Sequence, residues 1–199
     1  MNYPKSINDL IDCFKDLPGV GEKTAERMAL STLDFEKEKL DYFAKSFIDV
    51  KTKIRRCKTC NNISENELCE ICKDKSRDNQ RLCIVEDIRS IILFEKNKIF
   101  SGKYHVFDKL ISPIEGIGPD DIDINKLLER IKNEEIKEII IAIKPSLEGE
   151  TTAMYIKKCL ENNSTVIVSK IAQGIPMGAA MEYIDPLTLE TAFYNRKEI

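Results

Sequence analysis

The 199-residue sequence has no apolar run that approaches the about 20 residues of a membrane-spanning helix. Its first ten residues, MNYPKSINDL, have neither the basic region nor the apolar stretch of a signal peptide. We therefore expect neither a membrane-spanning nor an exported protein, and we predict a cytoplasmic location.

Histidine and excess positive charge are also scarce. The one histidine, His105, follows Tyr104 inside an apolar run, so we expect a packed, neutral core residue and not a catalytic base. The net charge of −3 argues against a protein coated in positive charge for nucleic acid, although it leaves room for a local basic patch.

Cysteine is the residue type whose spacing is most informative. Cys57, Cys60, Cys69 and Cys72 form the pattern C-x2-C-x8-C-x2-C, in which each pair can turn two thiolates toward one tetrahedral Zn(II). The alternative is a pair of disulfides, which suits a secreted protein. Four thiolates leave no open coordination position, so we predict one structural zinc per chain. The other three cysteines, Cys13, Cys83 and Cys159, lie in apolar sequence and are expected to be reduced, buried thiols.

A basic stretch lies just before the zinc loop and extends into its start. No acidic residue occurs between positions 50 and 64. Its members with a predicted role in DNA binding are Lys51, Lys53, Arg55 and Arg56. We expect them to act as secondary contacts to phosphate.

The N-terminal part is predicted to be helical. Ser6 is a candidate N-cap for a helix that ends near Asp16; a second helix spans Glu22 to Leu33 and a third Glu36 to Lys53. Helical spacing predicts two inward faces: Ala25, Met28, Ala29 and Thr32 in the second helix, and Leu40, Phe43, Ala44, Phe47 and Ile48 in the third.

The stretch LPGVG at residues 17–21 separates the first two helices, as in a helix-hairpin-helix motif. Amides of Gly19 and Gly21 at a helix N-terminus offer a site without side chains, into which a DNA phosphate fits. Lys23 and Arg27, one turn apart on the outward side, add positive charge. The alternative is a plain packing corner between two helices.

Beyond residue 80 strands alternate with helices, which predicts an α/β domain with a parallel sheet. The predicted strands are 81–86, Tyr104 to Phe107, Glu138 to Ile143 and Thr165 to Ser169, and the predicted helices are Asp87 to Glu95, Ile124 to Asn133 and Glu148 to Leu160. Glu86 ends one predicted strand, and Glu148 and Glu150 lie in the turn after another, so the three acids are expected to converge at one edge of the sheet. The convergence suggests either a divalent-metal site or acids that favour helix N-termini.

Taken in order, these motifs resemble the bacterial recombination mediator family RecR. The resemblance extends to SPIEGIGPDD at residues 112–121 and to Pro145 with EGETTA at 148–153. Residues 171–183 resemble the family's Walker B-like element. Two places depart from the family pattern: Phe107, Asp108 and Lys109 stand where Leu-Gly-Gly is common, and Gly178-Ala179 replaces paired glycines, which raises a question about backbone geometry there.

The resemblance implies a multi-domain α/β protein. The predicted parts are a helix-hairpin-helix region (1–53), a four-cysteine zinc finger (54–76), a Toprim-like parallel-sheet domain (80–170) and a short C-terminal Walker B-like or assembly region (171–199). It further implies a non-enzymatic, homo-oligomeric clamp, expected to be a tetramer, that binds single- and double-stranded DNA and works with RecO and RecF to load RecA onto gapped DNA.

Two other functions stay open at this point. A Toprim enzyme would use Mg(II), but the strand before Lys144-Pro145-Ser146 lacks the Asp-x-Asp pair that completes such a site. A zinc-stapled scaffold that binds only proteins would suit the negative net charge. We interpret Glu86, Glu148 and Glu150 as a docking surface for a basic protein partner, with no catalytic residues.

Overall fold

The structure is a computed structural model that describes residues 3–161 and 166–198. It divides into two units, Met1–Ile54 and Arg55–Ile199. No helix within the described ranges is both long and apolar enough to span a membrane.

The N-terminal unit is helical, as predicted. Its elements are α1 (Lys5–Lys15), α2 (Glu22–Ser31), a 3-10 turn (Thr32–Asp34) and α3 (Lys37–Lys53). Ile11 of α1 packs on Ala25 and Ala29 of α2, and the two small alanine side chains let the helices approach closely. The LPGVG turn thus joins two helices that pack directly on each other.

Three details of this unit differ from the prediction. α1 begins at Lys5, after Pro4, so Ser6 lies within the helix and is not its N-cap. α2 ends at Ser31, before the 3-10 turn. Met28 is 39% exposed, because the contact with α1 is narrow enough for Ala25 and Ala29 to fill it.

The prediction that α3 buries its apolar face is wrong. None of its residues is buried within the described unit, and Phe47 and Ile48 are each 62% exposed. The apolar side chains of α1 and α3 do not pack closely on each other. Instead they line one open groove of about 580 Å³. We call this the N-terminal groove; its lining includes Leu10, Phe14, Phe35, Phe43 and Phe47.

The second unit begins with the cysteine segment. Two short antiparallel strands, β1 (Arg55–Arg56) and β2 (Ile63–Ser64), flank the first cysteine pair. A short helix, α4 (Glu70–Lys73), begins directly after Cys69 and contains Cys72, the other member of the second pair.

A four-stranded parallel sheet follows, which confirms the predicted α/β architecture. Its elements in chain order are β3 (Asp78–Val85), α5 (Ile88–Lys96), β4 (Gly102–Val106), α6 (Ile124–Asn133), β5 (Glu138–Ala142), α7 (Leu147–Leu160) and β6 (Ile167–Lys170). The strand order is β4-β3-β5-β6, with every neighbouring pair parallel. The predicted last strand overlaps β6, but its first residue, Thr165, lies outside the described residues.

Both faces of the sheet are buried, and successive residues of β3 alternate between them. Leu82 and Ile84 belong to a core that includes Leu127 of α6 and Ile156 of α7. Cys83 and Val85 pack in a second core with residues of α5 and β4. A central parallel strand needs side chains of this kind on both sides, which explains the continuous apolar runs in the sequence.

The C-terminal segment is irregular, apart from a 3-10 turn (Met181–Tyr183) and a helix, α8 (Pro186–Tyr194). Gly178 has φ +82°, and the amide of Ala179 donates to the carbonyl of Pro176 at 3.1 Å, so a turn places Gly178 where a side chain would be strained. Ala179 has no positive φ. Only the first of the two family glycines is therefore required by the backbone here.

His105 is fully buried in β4, as predicted. Neither ring nitrogen has a hydrogen-bond partner among the described residues, and the ring centroid lies 5.2 Å from that of Phe107. Burial, with smaller contributions from the positive charges of Arg130 and Lys126, lowers the pKa of His105 to about 3 from the usual 6.5.

We expect the stability of the protein to depend on pH through His105. The unfolded chain binds a proton at this residue below pH 6.5 and the folded chain does not. The free energy of unfolding should therefore fall as pH decreases from about 6, by up to about 1.4 kcal/mol per pH unit. Urea unfolding of wild type and His105→Leu at pH 7, 6 and 5.5, both loaded with zinc, measures the effect. The difference between the two proteins should change with pH in favour of the variant; parallel profiles would contradict this assignment.

Candidate zinc centre and nucleic-acid interface

The four predicted zinc ligands come together in one cluster. The Sγ atoms of Cys57, Cys60, Cys69 and Cys72 all lie within 4.8 Å of one another, and those of Cys60 and Cys69 are 3.5 Å apart. A tetrahedron with Zn–S bonds of about 2.3 Å has sulfurs about 3.8 Å apart, so the cluster has the size that zinc requires. All seven cysteines are free thiols. The disulfide alternative therefore fails, and the cluster is a site for one structural zinc.

Backbone hydrogen bonds shape the first cysteine pair into a knuckle. The amide of Asn61 donates to the carbonyl of Cys57 at 3.0 Å, and Asn61 adopts a left-handed conformation with φ 62°. The amide of Cys69 donates to Sγ of Cys57 at 3.3 Å. Hydrogen bonds of this kind stabilise a thiolate and orient it toward a metal.

The knuckle also attaches to the edge of the parallel sheet. The amide of Val106 in β4 donates to the carbonyl of Cys60 at 2.9 Å, and the side-chain amide of Asn61 donates to the carbonyl of Val106 at 3.2 Å. Because β4 is an edge strand, its outer backbone groups would otherwise lack strand partners. These two hydrogen bonds therefore join the zinc segment to the parallel sheet along its β4 edge.

The glycine hairpin has the geometry expected of an anion site. Gly19 has φ +81°, which only glycine adopts readily, and Gly21 is the residue before α2. Within the described part of the chain the amides of Gly21, Glu22 and Lys23 have no backbone acceptor. A Cβ atom at either glycine would meet no other atom within 4 Å, so the surface is open.

The predicted cations differ in their availability. Lys23 and Arg27 are exposed on α2, and neither forms an ion pair with a residue that the structure describes. Lys51 and Arg55 are exposed as well. Lys53 Nζ lies 2.7 Å from a carboxylate oxygen of Asp49, one turn earlier in α3.

Arg56 is held by two partners. It donates to the carbonyl of Asn61 at 3.0 Å and lies 2.9 Å from Asp108. Asp108 is part of the departure at residues 107–109, so this unusual residue ties the zinc segment to the end of β4. Phe107 packs in the core and none of the three residues has a positive φ, so the backbone accommodates the departure without strain.

The predicted convergence is found for Glu86 and Glu148 but not for Glu150. Glu86 and Glu148 both line a cavity of about 430 Å³ at the carboxyl ends of the strands, and Glu86 accepts a hydrogen bond from the amide of Lys144 at 3.3 Å. Glu150 instead binds Lys170 and lies 3.3 Å from the side-chain amide of Gln173. Positions 148 and 150 fall on two different faces of α7, which turns Glu150 away from Glu148.

The electrostatics of the acids agree with this separation. The hydrogen bond and charge of Lys170 lower the pKa of Glu150. Hydrogen bonds from its own amide and from Ser146 lower the pKa of Glu148. Among the described residues only the four cysteines form a cluster of ligands close enough for one metal ion. The three acids therefore do not bring together the several oxygen ligands that a pair of catalytic metal ions needs.

Two buried cations near the zinc ligands were missed by the sequence reasoning. Lys103 lies in β4 and Arg130 in α6, and they are 4% and 5% exposed. A lysine within a run of strand residues is the one available signal for the first, because lysine is rarely buried without partners. Nothing in helical periodicity marks the second.

The fold and the cysteine cluster define a zinc-finger Toprim protein with an N-terminal helix-hairpin-helix unit. Four family models match in this order: the RecR helix-hairpin-helix at residues 7–50, the RecR four-cysteine zinc finger domain at 54–74, the Toprim domain at 80–172 and the RecR C-terminal region at 174–197. The predicted domain boundaries stay predictions.

Curated relatives agree with these matches over their whole length. The chain is 46% identical to Recombination protein RecR of Staphylococcus aureus strain Newman and to that of Staphylococcus haemolyticus strain JCSC1435, with both chains fully covered in each comparison. The chain belongs to the RecR family of recombination proteins. Membership supports a role in recombination repair, and the family is one of recombination proteins and not of enzymes.

Proposed function

We propose that this chain is a DNA-binding recombination mediator that assembles into a ring or clamp in the cytoplasm. In this role it acts with RecO and RecF and helps RecA replace single-strand binding protein on gapped DNA. The observation that carries the proposal is the open glycine hairpin, with unpaired amides at the start of α2 and exposed Lys23 and Arg27 on that helix.

The hairpin suits a phosphate better than a base. The free amides of Gly21, Glu22 and Lys23 point outward from a helix N-terminus, where the helix dipole favours an anion. Backbone donors and flexible cations carry no sequence information, so binding should be largely independent of sequence. Lys51 and Arg55 add positive charge, whereas Lys53 and Arg56 already have acidic partners and are expected to contribute less.

Assembly is supported by two apolar surfaces, one in each unit. The first is the N-terminal groove beside the exposed face of α3. The second is the C-terminal segment, where α8 has no buried residue and Tyr183, Leu187 and Phe193 are all exposed. Exposed apolar side chains gathered in this way often mark sites of protein–protein contact. Two different contact surfaces per chain are what a closed homo-oligomer such as a tetrameric ring requires.

A docking surface for RecO is proposed at the carboxyl ends of β3 and β5. Glu86 and Glu148 line the same cavity there and present negative charge to a basic partner. Glu150, which was predicted to belong to this surface, is held by Lys170, so its contribution should be smaller.

A reconstituted exchange assay tests this function. Purified chain, RecO and RecF are added to gapped DNA coated with single-strand binding protein, and the rate of RecA assembly is followed. The wild-type chain should accelerate assembly. The double variant Glu86→Gln with Glu148→Gln should accelerate RecA assembly about tenfold less than the wild-type chain does, because charge governs the rate of encounter with a basic partner. Glu150→Gln is the matched control and should retain most of it.

The same samples provide the internal controls. The double variant should keep its zinc and its affinity for DNA, and native mass spectrometry should show the wild type as a multiple of the 22.8 kDa chain. A wild-type chain that stays monomeric on DNA and leaves RecA assembly unchanged would contradict the proposed function.

A further inference from the structure

Two positive side chains are buried beside the zinc ligands. Lys103 and Arg130 line the same cavity of about 300 Å³ as Cys72. A buried lysine or arginine is costly unless its donors are satisfied and its charge is balanced. Each of these two side chains therefore needs hydrogen-bond acceptors and negative charge close by.

Hydrogen bonds from Lys103 end on the second cysteine pair. Its Nζ donates to the carbonyl oxygens of Ile71 at 2.8 Å, Cys72 at 3.1 Å and Asp74 at 2.7 Å. An ammonium group has three donors, so all of them are used. Lys103 of β4 thus hydrogen-bonds to the end of α4, the short helix that contains Cys72 and begins directly after Cys69.

Arg130 holds the same strand from the α6 side. Its Nη1 donates to the carbonyl of Tyr104, and its Nε lies 3.1 Å from both carboxylate oxygens of Glu134. Tyr104 is the residue after Lys103. The two cations therefore bind adjacent residues of the strand to which the zinc segment attaches.

The hydrogen bonds satisfy the donors of Lys103, but carbonyl groups do not balance its charge, and the exposed carboxylate of Asp74 offsets only part of it. A zinc ion with four thiolates has a net charge of −2. Lys103 and Arg130 bring two positive charges to its border, while Glu134, whose side chain is 31% exposed, offsets part of the charge of Arg130 from the outer side. Charges interact strongly in a buried setting, so the anionic centre and the buried cations stabilise each other.

We propose that Lys103, assisted by Arg130, is a positioning residue of the zinc centre. It holds the second cysteine pair against β4, supplies counter-charge to the zinc thiolates, and so determines how firmly the metal is retained. Residues of this kind commonly change metal affinity by about 10- to 100-fold.

Replacement of Lys103 by methionine tests the proposal. Lys103→Met keeps most of the apolar stem and removes the charge and the three donors. Zinc transfer from the full-length, zinc-loaded protein to excess chelator should become about 10- to 100-fold faster. Lys157→Met is the matched control, because Lys157 is exposed on α7 and its replacement removes the same charge, and it should release zinc at the wild-type rate. A wild-type rate for Lys103→Met would overturn the proposal.

Two further variants separate charge from packing. Lys103→Arg keeps the charge and should release zinc more slowly than Lys103→Met; equal rates for the two would overturn the role of counter-charge. If Lys103→Met does not accumulate in folded form, Arg130→Gln provides the test from the α6 side. Its zinc release should be about tenfold faster than that of wild type, and an unchanged rate would overturn the proposal.

Discussion

Replacing Cys69 by serine should remove zinc from the protein and unfold the segment that contains the cysteines. The segment has few apolar residues of its own, and its buried cluster consists of Cys57, Cys60 and Cys69 with Ile71 and Cys72 packed against it. Zinc binding contributes about 10–16 kcal/mol in isolated zinc-finger peptides at pH 7, so the loss of one ligand should cost more than such a segment can otherwise supply. Metal analysis should find well under one zinc per chain in Cys69→Ser.

The effect should extend to the edge of the parallel sheet. Without a folded knuckle the amide of Val106 loses the carbonyl of Cys60, and β4 becomes an uncovered edge strand. Hydrogen exchange should therefore accelerate in residues 54–74 and at β4, and the variant should aggregate more readily.

Cys13→Ser is the matched control for this experiment. Cys13 is a free thiol of the N-terminal unit and is exposed, not buried as the sequence predicted, so the same chemical change there should leave one zinc per chain. A full complement of zinc in Cys69→Ser would contradict the assignment of the four ligands.

Replacing Lys23 and Arg27 together by alanine should sharply weaken DNA binding. Each lost phosphate contact should reduce the slope of log affinity against log salt by about 0.7 to 0.9, so the pair should reduce it by about 1.4 to 1.8. At low salt the affinity should fall about tenfold or more. Fluorescence anisotropy with single-stranded and with double-stranded DNA over a range of salt concentrations measures both quantities.

Controls for this prediction come from the same unit. Lys37→Ala with Lys45→Ala removes the same charge from exposed positions of α3 and should change the slope little. Gly21→Ala changes no charge and has room for its methyl group, with φ −83° acceptable to alanine, yet it places that methyl where the phosphate is proposed to approach. It should weaken DNA binding at the cost of a small loss of stability, because alanine is a poorer N-cap than glycine. Unchanged affinity and slope in the Lys23 and Arg27 double variant would show that DNA uses another surface.

The residues that were predicted best are those whose roles depend on neighbours close in sequence. The spacing of the cysteines was enough to predict a zinc site, since a two-residue gap limits where the two sulfurs of each pair can lie. Helical periodicity predicted Ile124–Asn133 with its observed bounds, and the continuous apolar run at β5 predicted a strand covered on both faces. These patterns repeat within a few residues, so the chain carries them locally.

The residues that were predicted poorly depend on partners far away in sequence. Asp108 forms an ion pair with Arg56, about fifty residues earlier in the chain. Lys170 of β6 pairs with Glu150 of α7, and Lys103 of β4 donates hydrogen bonds to the end of α4. No periodicity encodes these contacts, because they depend on strand order and register in the parallel sheet.

By itself, then, the sequence determined the four-part order of the chain, the zinc ligands, the glycine hairpin and the alternation of strands and helices. Tertiary structure alone decided that the apolar face of α3 stays uncovered within its unit, that Glu150 faces away from Glu86 and Glu148, and that two buried cations border the zinc ligands. The physical reason is that a residue's intrinsic geometry acts over one or two turns of chain. Burial and charge pairing depend instead on which distant surfaces the whole fold brings together.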